Sequence, residues 1–176
     1  MQRIPVSPRP RWQETVESQG LVFHTGDGVP YWDESAYYCF TTDEIDLIEK
    51  ATYELDRMCL EAVEYVINTG QLSAFGIPLG YYDLIRESWE KDELTIVGRF
   101  DLSYDGQGGP PKLLEYNADT PTSLLEAAVI QWFWMKDVFG EGAVVDQFNS
   151  IHERLIEAWK AVREATFGTP VHFTCI

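Results

Sequence analysis

The chain has 176 residues, of which 45% are hydrophobic and 24% charged, and its formal net charge is −16 at pH 7. That length is enough for one domain with a substantial core. The charge excludes general binding to nucleic acid or to anionic membranes, because a strongly acidic surface repels both. No apolar run reaches the roughly 18 residues of a membrane-spanning helix, and the first residues lack the apolar stretch of a signal peptide. We therefore expect a cytoplasmic protein with no nucleic-acid or membrane partner.

The first half of the chain predicts an arm followed by two helices. Residues 1–40 are rich in Pro, Trp and Tyr, which favours an irregular arm packed on the rest through aromatic side chains. Thr41 and Glu44 have the spacing of a capping box, and apolar residues then recur at steps of three and four. Gly70 is the expected stop of this long helix. A shorter helix is predicted from about Tyr81 to Glu90.

A β-hairpin is predicted next. Apolar and polar residues alternate from 94 to 104, the glycine-rich stretch DGQGGPP interrupts them, and residues 112–117 (KLLEYN) resume the strand pattern. The loop lacks the Lys-Ser/Thr pair of a P-loop and leads into a strand, so we interpret it as a turn and not as a phosphate-binding loop.

The remaining chain predicts two more helices and a final strand. Thr120 is the expected N-cap of the first helix, with Pro121 at its first position. Its body is apolar on nearly every side, which indicates a buried helix. An amphipathic helix then stops near Gly168. The ending VHFTCI is typical of a buried strand, and since domains seldom stop inside a sheet, we expect a fragment of a longer protein.

These elements together predict an α/β fold. We expect a mixed sheet that contains the strands 94–104 and 112–117, packed by three longer helices, with residues 1–176 forming a single region.

One face of the predicted hairpin carries an unusual set of polar side chains. Side chains on a strand alternate between faces, so Arg99 and Asp101 share a face, as do Glu115 and Asn117. If the Asp105–Pro111 loop is symmetric, Asp101 lies opposite Glu115 and Arg99 opposite Asn117. Opposed Cβ atoms would then be about 5 Å apart, and a slip of one residue would separate the pairs.

This set suits the handling of a phosphoryl group. Carboxylate and amide oxygens are the ligands that Mg²⁺ takes beside phosphate oxygens, and the guanidinium of Arg99 matches a phosphoryl group or a carboxylate. A helix starting near Thr120 would add backbone N–H groups for an anion, and Thr120 and Thr122 could add hydroxyl donors. Such parts position and stabilise a transferring phosphoryl group.

A plainer alternative stands beside this interpretation. Arg99 could form an ordinary cross-strand salt bridge with Asp101 or Glu115, and Thr120-Pro121 could be only a helix cap. Charged hairpin faces are usually exposed ones, so the residue types alone favour the plainer alternative.

The same residues resemble a known family. The stretch GRFDLSYDGQGGPPKLLEYNADTPTSLLEAAVIQWFWM is similar to the core signature of the glutathionylspermidine synthase-like (pre-ATP-grasp) family, and RPRWQETVESQGLVFHTGDGVPYWDESAYYCF to its opening segment. RFD followed by EYNADTP is a fairly specific pair of motifs. The resemblance covers essentially the whole chain and is strongest to bacterial stand-alone members, which lack an amidase domain.

The resemblance implies a reaction and roles for the hairpin residues. Ligases of this family join a carboxylate to an amine with ATP, through an acyl phosphate. It implies that Arg99 is the catalytic group that stabilises the transferring phosphoryl group, and that Arg99 and Asp101 contact ATP. It implies three ligands for Mg²⁺: Asp101, Glu115 and Asn117. Thr120 and Thr122 would lie near the carboxylate substrate.

Two functions of different classes follow as expectations. The first is the N-terminal portion of an ATP- and Mg²⁺-dependent carboxylate–amine ligase for a small, peptide-like acid and an amine, inactive alone because most of the ATP pocket lies downstream. The second is a non-catalytic module that binds a polyamine or a protein partner. Retention of Arg99, Asp101, Glu115 and Asn117 together speaks against the second, because a module without catalysis has no need of that set.

Overall fold

The computed structural model describes residues 1–170. These residues form two compact units. The first unit combines Met1–Thr41 with the chain from Thr120 onward, and the second consists of Thr42–Asp119. The second unit is thus a continuous segment that interrupts the first.

The described residues contain both helices and short strands. The helices are α1 (Trp12–Ser18), α2 (Thr42–Asn68), α3 (Tyr82–Glu90), α4 (Gln131–Phe139) and α5 (Ile151–Ala165). The strands are β1 (Gln2–Pro5), β2 (Thr25–Gly26), β3 (Val29–Pro30), β4 (Ala36–Cys39), β5 (Gly98–Ser103) and β6 (Lys112–Ala118). A π-helical turn, Glu126–Ile130, leads directly into α4.

The strands pair in small antiparallel sheets. Within residues 1–170, β1 pairs with β4, β2 with β3 and β5 with β6, each pair forming its own sheet. The mixed sheet that we expected is therefore wrong for the described residues. The connection between β5 and β6 is too short for the crossover that a parallel pair needs, which takes about a dozen residues or more.

The predicted hairpin is confirmed, but its first strand is shorter than expected. The strand was predicted from residue 94 and begins at Gly98, whose partner Ala118 is the last residue of β6. Residues before Gly98 have no strand residue opposite them, which explains why alternation alone overestimates the strand.

The first 40 residues are more regular than an arm. They contain α1 and the strands β1 to β4, while the aromatic packing that we expected is present. The core of the first unit consists of Val16, Leu21 and Ile130, and three partly buried side chains pack against it: Trp12, Trp32 and Leu125. Residues from the two ends of the described chain therefore share one core.

A buried ion pair supports the same unit. The Glu34 side chain is fully buried, and its Oε1 lies 2.6 Å from Nη2 of Arg9. Trp32 Nε1 donates to the same carboxylate at 3.1 Å. Burial lowers the pKa of the Arg9 guanidinium, but hydrogen bonds and charge from Glu34 and Asp137 outweigh it and raise the pKa above its ordinary value. The buried carboxylate is thus fully partnered, as a buried charge must be.

The boundaries of the long helix follow its sequence signals. Helix α2 begins directly after Thr41 and ends at Asn68, and Gly70 has a φ of 70°, in the left-handed region where glycine carries no Cβ penalty. Helix α3 starts within one residue of its predicted position. Neither α2 nor any other helix in residues 1–170 is both long and apolar enough to cross a membrane.

The helix after the hairpin begins later than predicted. The first helical residue is Leu124, not Pro121, and Ser123 before it has a φ of 61°. A residue in the left-handed region interrupts a right-handed helix, so the turn at Ser123 separates Pro121 from the helix body. The helix is not buried all round either, since the Phe133 side chain is exposed.

The last helix agrees with its prediction. Helix α5 ends at Ala165, and the backbone N–H of Gly168 donates to the Arg163 carbonyl at 2.9 Å, closing the helix end. The strand predicted at VHFTCI lies outside the described residues.

Two tyrosines hold the β5–β6 hairpin against α2. The Tyr116 hydroxyl donates to Oδ1 of Asp56 at 3.1 Å, and the Tyr104 hydroxyl donates to Oε1 of Glu44 at 3.2 Å. Both acceptors lie on α2, twelve residues apart in the sequence, which corresponds to about 18 Å along a helix. The hairpin is therefore attached to α2 near both of its ends.

The Tyr116 ring also requires a glycine beside it. It packs on Phe100 with ring centroids 4.2 Å apart. A Cβ added to Gly98 would lie 2.7 Å from Cε2 of Tyr116 and 3.1 Å from its hydroxyl oxygen. The ring cannot move away freely, because its hydroxyl is bound to Asp56.

We predict that Gly98→Ala lowers the free energy of unfolding by about 1–3 kcal/mol, the usual cost of forcing an extra methyl into a packed site. Gly109→Ala is the matched control, because a Cβ at Gly109 meets nothing within 4 Å. Urea unfolding of both variants measures the difference, and equal stabilities would contradict the role assigned to Gly98.

A second prediction concerns pH. Burial, and then the charge and hydrogen bond of Glu44, raise the pKa of Tyr104 above its ordinary value of 10.0. The folded state therefore keeps the Tyr104 hydroxyl proton above pH 10.0, where the unfolded chain loses it. The stabilisation that the protonated Tyr104 contributes is complete below pH 10.0 and is lost as the pH rises through the raised pKa. The free energy of unfolding should fall less steeply in alkaline solution for Tyr104→Phe than for the wild type. Urea unfolding over a series of alkaline pH values tests this, and parallel curves would refute it.

Candidate functional site

The register of the β5–β6 hairpin brings together the side chains that the sequence singled out. Arg99 pairs with Asn117, and Asp101 pairs with Glu115. Both predicted pairs are confirmed. Because residues two apart on a strand point to the same face, the four side chains lie on one face of the hairpin.

A β-bulge produces this register. Nearer the loop, Ser103 pairs with Lys112 and Leu102 with Leu113, so the pairing shifts by one residue after Asp101 and leaves Leu114 without a partner. The loop is thus not symmetric in the way that we assumed. Continued without the bulge, the pairing near the loop would place Asp101 opposite Leu114 and send Glu115 to the other face.

Arg99 and Asp101 form an ion pair along one strand. Nε of Arg99 donates to Oδ1 of Asp101 at 2.9 Å, and the two side chains are 39% and 40% exposed. The plainer alternative predicted a bridge between Arg99 and Asp101 or Glu115, and the pair with Asp101 is present, although it joins two residues of β5 and is not a cross-strand bridge. A pair this exposed contributes little to stability. Its main effect is to orient the guanidinium.

Asn117 and Glu115 complete the face from β6. The Glu115 side chain is exposed, whereas Asn117 is half-buried. Within residues 1–170, Nδ2 of Asn117 is buried without a hydrogen-bond partner. An unsatisfied buried polar atom costs about 1–3 kcal/mol. Because this nitrogen is a hydrogen-bond donor, it could serve an oxygen acceptor such as a phosphate but cannot itself hold a metal ion.

The donor set fits Mg²⁺ only together with further oxygen ligands. Among the described residues no group of three or more His, Cys, Asp or Glu side chains could hold a metal ion. The hairpin face offers two carboxylates and one amide: Asp101, Glu115 and Asn117. Mg²⁺ is commonly bound by one or two carboxylates plus waters and substrate phosphates, so this smaller set is chemically suitable.

The four side chains line neither of two clefts in residues 1–170. A cleft of about 310 Å³ lies on the opposite side of the hairpin, next to α2, and its lining includes Asp56, Phe100 and Tyr116. Another, of about 520 Å³, belongs to the first unit and includes Trp132 and Phe133. The polar face of the hairpin therefore belongs to neither cleft.

Sequence reasoning missed the side chains that hold the hairpin from behind. Two acidic residues of α2, Glu44 and Asp56, accept hydrogen bonds from Tyr104 and Tyr116. Each pair is separated by 60 residues, and no short-range pattern connects them. Strand alternation was the one available signal, since it places Tyr116 on the face opposite Glu115 and Asn117.

Thr120 and Thr122 belong to the first unit. Both are exposed, and the backbone N–H of Thr122 donates to the Thr120 carbonyl at 2.8 Å, which makes a tight turn. Since the helix begins at Leu124, the anion site that we expected at a helix starting near Thr120 is wrong in its position. The assignment of the two threonines to a carboxylate substrate stays a prediction.

Comparison with known proteins identifies the family. The chain matches the sequence profile described as "Glutathionylspermidine synthase preATP-grasp" over residues 3–176. It is 38% identical over 180 residues to a Haemophilus influenzae protein named "Putative acid--amine ligase", an alignment that covers 100% of this chain and 45% of that protein. It is 32% identical over 137 residues to the bifunctional glutathionylspermidine synthetase/amidase of Escherichia coli, covering 77% of this chain and 22% of that protein.

A third relative shares a shorter region. Trypanothione synthetase of Crithidia fasciculata is 39% identical over 80 residues, which cover 45% of this chain and 12% of that protein. The chain thus spans less than half the length of the curated relatives that it matches. The match over nearly all residues, together with relatives named as ligases and synthetases, shows that the chain belongs to the glutathionylspermidine synthase pre-ATP-grasp family.

Proposed function

We propose that this chain provides the metal- and phosphoryl-binding hairpin of an ATP- and Mg²⁺-dependent ligase that joins a carboxylate to an amine. The observation that carries the proposal is the register of the hairpin, in which Arg99 is opposite Asn117 and Asp101 is opposite Glu115. Membership of a family whose named relatives are ligases and synthetases supports the same reaction class.

Each side chain on the hairpin face has a role in this proposal. Arg99 is the catalytic residue: its guanidinium, oriented by Asp101, pairs with the negative charge of the phosphoryl group during transfer. Asp101 also contributes to ATP binding. Three residues hold Mg²⁺ through carboxylate or amide oxygens: Asp101, Glu115 and Asn117. When bound, the metal neutralises phosphate charge.

The reaction has two steps, a phosphoryl transfer to the acid and then an acyl transfer to the amine. A carboxylate oxygen of the acid attacks the γ-phosphorus of ATP, the bond to the bridging oxygen breaks, and ADP leaves with that electron pair. The amine nitrogen then attacks the acyl carbon, phosphate leaves, and the nitrogen loses a proton to give the amide. A positioned cation such as Arg99 stabilises the first step, because negative charge is redistributed over the transferring group.

The substrates are proposed by class. The names of the relatives point to a small, peptide-like carboxylic acid and an amine. We assign Thr120 and Thr122 to the carboxylate substrate. Because the chain spans 45% of the Haemophilus influenzae relative, we propose that most of the ATP pocket is formed by residues outside it and that this chain alone is inactive.

The net charge of −16 favours one alternative, a non-catalytic module that binds a polyamine or a protein partner. Calorimetric titration of the full-length protein separates the two functions. A ligase binds Mg·ATP, whereas a module of this kind binds a polyamine alone, with an affinity that falls strongly as salt is added.

We predict that Arg99→Ala in the full-length protein lowers the rate of ADP formation by about a thousandfold, since removing an arginine that stabilises a transferring phosphoryl group costs 10³ or more. ADP release in the presence of ATP, Mg²⁺, acid and amine measures this. The fold should be retained, because the Arg99 side chain and the Asp101 carboxylate that pairs with it are both partly exposed, and such a pair contributes little to stability.

Arg86→Ala is the matched control. Arg86 lies on α3 in the same unit and is also partly exposed, with its guanidinium 3.6 Å from Asp83. Its loss should leave turnover unchanged. Wild-type turnover in Arg99→Ala would reject the role proposed for Arg99.

A further inference from the structure

We propose that Tyr116 and Asp56 are positioning residues for metal binding: their hydrogen bond holds β6 so that Glu115 and Asn117 present their oxygens on the same face as Asp101. The inference rests on the proposed function, because it assumes that this face binds the metal. It assigns a role to two side chains that do not themselves contact the ion.

The position of Tyr116 in the strand is the first argument. Tyr116 lies between the two proposed ligands of β6 and points to the opposite face. A rotation of the strand about its own axis would move Glu115 and Asn117 together. The hydroxyl bond to Asp56 at 3.1 Å and the Phe100 ring at 4.2 Å oppose such a rotation from behind.

The bulge is the second argument. Leu114 is left without a partner directly before Glu115, and a bulge disrupts the ladder and bends its strand. Backbone pairing therefore fixes β6 less firmly at Glu115 than in a regular hairpin. Tyr116, one residue beyond Glu115, attaches β6 to α2 next to the place where the bulge disrupts backbone pairing.

The other tyrosine provides a comparison within the same structure. Tyr104 also donates to a carboxylate of α2, at 3.2 Å. It follows the last residue of β5 at the loop end of the hairpin and is not adjacent to any proposed ligand. A merely structural attachment of the hairpin to α2 would make the two tyrosines equivalent, whereas positioning of the metal ligands requires Tyr116 alone.

The experiment measures Mn²⁺ binding to the full-length protein by electron paramagnetic resonance, with Mn²⁺ as the probe for the Mg²⁺ site. We expect Tyr116→Phe to weaken Mn²⁺ binding by about tenfold, which is typical when a group that orients metal ligands is removed. Tyr104→Phe should bind Mn²⁺ as the wild type does. Equal affinities for the two variants would overturn the inference.

A pair of substitutions at Asp56 tests the hydrogen bond itself and serves also where Tyr116→Phe affects folding. Asp56→Ala removes the acceptor and should weaken Mn²⁺ binding as Tyr116→Phe does. Asp56→Asn keeps an acceptor oxygen for the tyrosine hydroxyl and should restore the wild-type affinity. If Asp56→Asn is as weak as Asp56→Ala, or if both bind normally, the positioning role is wrong.

Glu115→Gln separates this inference from the function on which it rests. If Glu115→Gln loses Mn²⁺ binding while Tyr116→Phe binds Mn²⁺ normally, the positioning role is wrong but the proposed metal site is retained. Normal binding in Glu115→Gln would reject the metal site, and the positioning role with it.

Discussion

The unpaired residue Leu114 determines which face of the hairpin carries the polar side chains. Pairing near the loop runs in one register, and pairing beyond Asp101 runs in another, shifted by one residue. A strand has a side-chain period of two, so a shift of one residue exchanges its faces. The bulge therefore places Glu115 and Asn117 beside Asp101 and Arg99, and leaves Tyr116 with Phe100 on the side that meets α2. The rest of the candidate site depends on this one insertion.

The hairpin is consequently an element with two distinct faces. One face is aromatic and is attached to α2 through tyrosine hydroxyls, and the other is polar and partly exposed. The attachment uses neutral donors and carboxylate acceptors, which form stronger hydrogen bonds than neutral pairs do. Rigid support behind a polar face is the arrangement that precise ligand geometry requires, because side chains that hold a metal must be kept in place by their neighbours.

Much of this architecture could be predicted from local patterns. Alternation located both strands of the hairpin, and the capping signals located α2 and its end at Gly70, because each pattern reflects a short-range physical cause. The pairing of Arg99 with Asn117 was also predicted, although from a symmetric loop that the chain does not have.

What escaped prediction depends on contacts between distant residues or on single backbone angles. A bulge does not alter the alternation of residue types enough to be recognised. The bond between Tyr116 and Asp56 joins residues 60 apart. The helix begins only at Leu124 because Ser123 has a left-handed conformation. Serine adopts this conformation rarely, and the preceding Thr-Pro-Thr does not predict it.

The division of the chain has a consequence for its synthesis. The first unit needs residues from both Met1–Thr41 and the chain after Thr120, because Val16 and Leu21 share their core with Ile130. On the ribosome, the continuous segment Thr42–Asp119 emerges completely before the first unit can close. Until Ile130 is made, the core that Trp12 and Trp32 pack against is incomplete, so the continuous segment Thr42–Asp119 can fold before the first unit is complete.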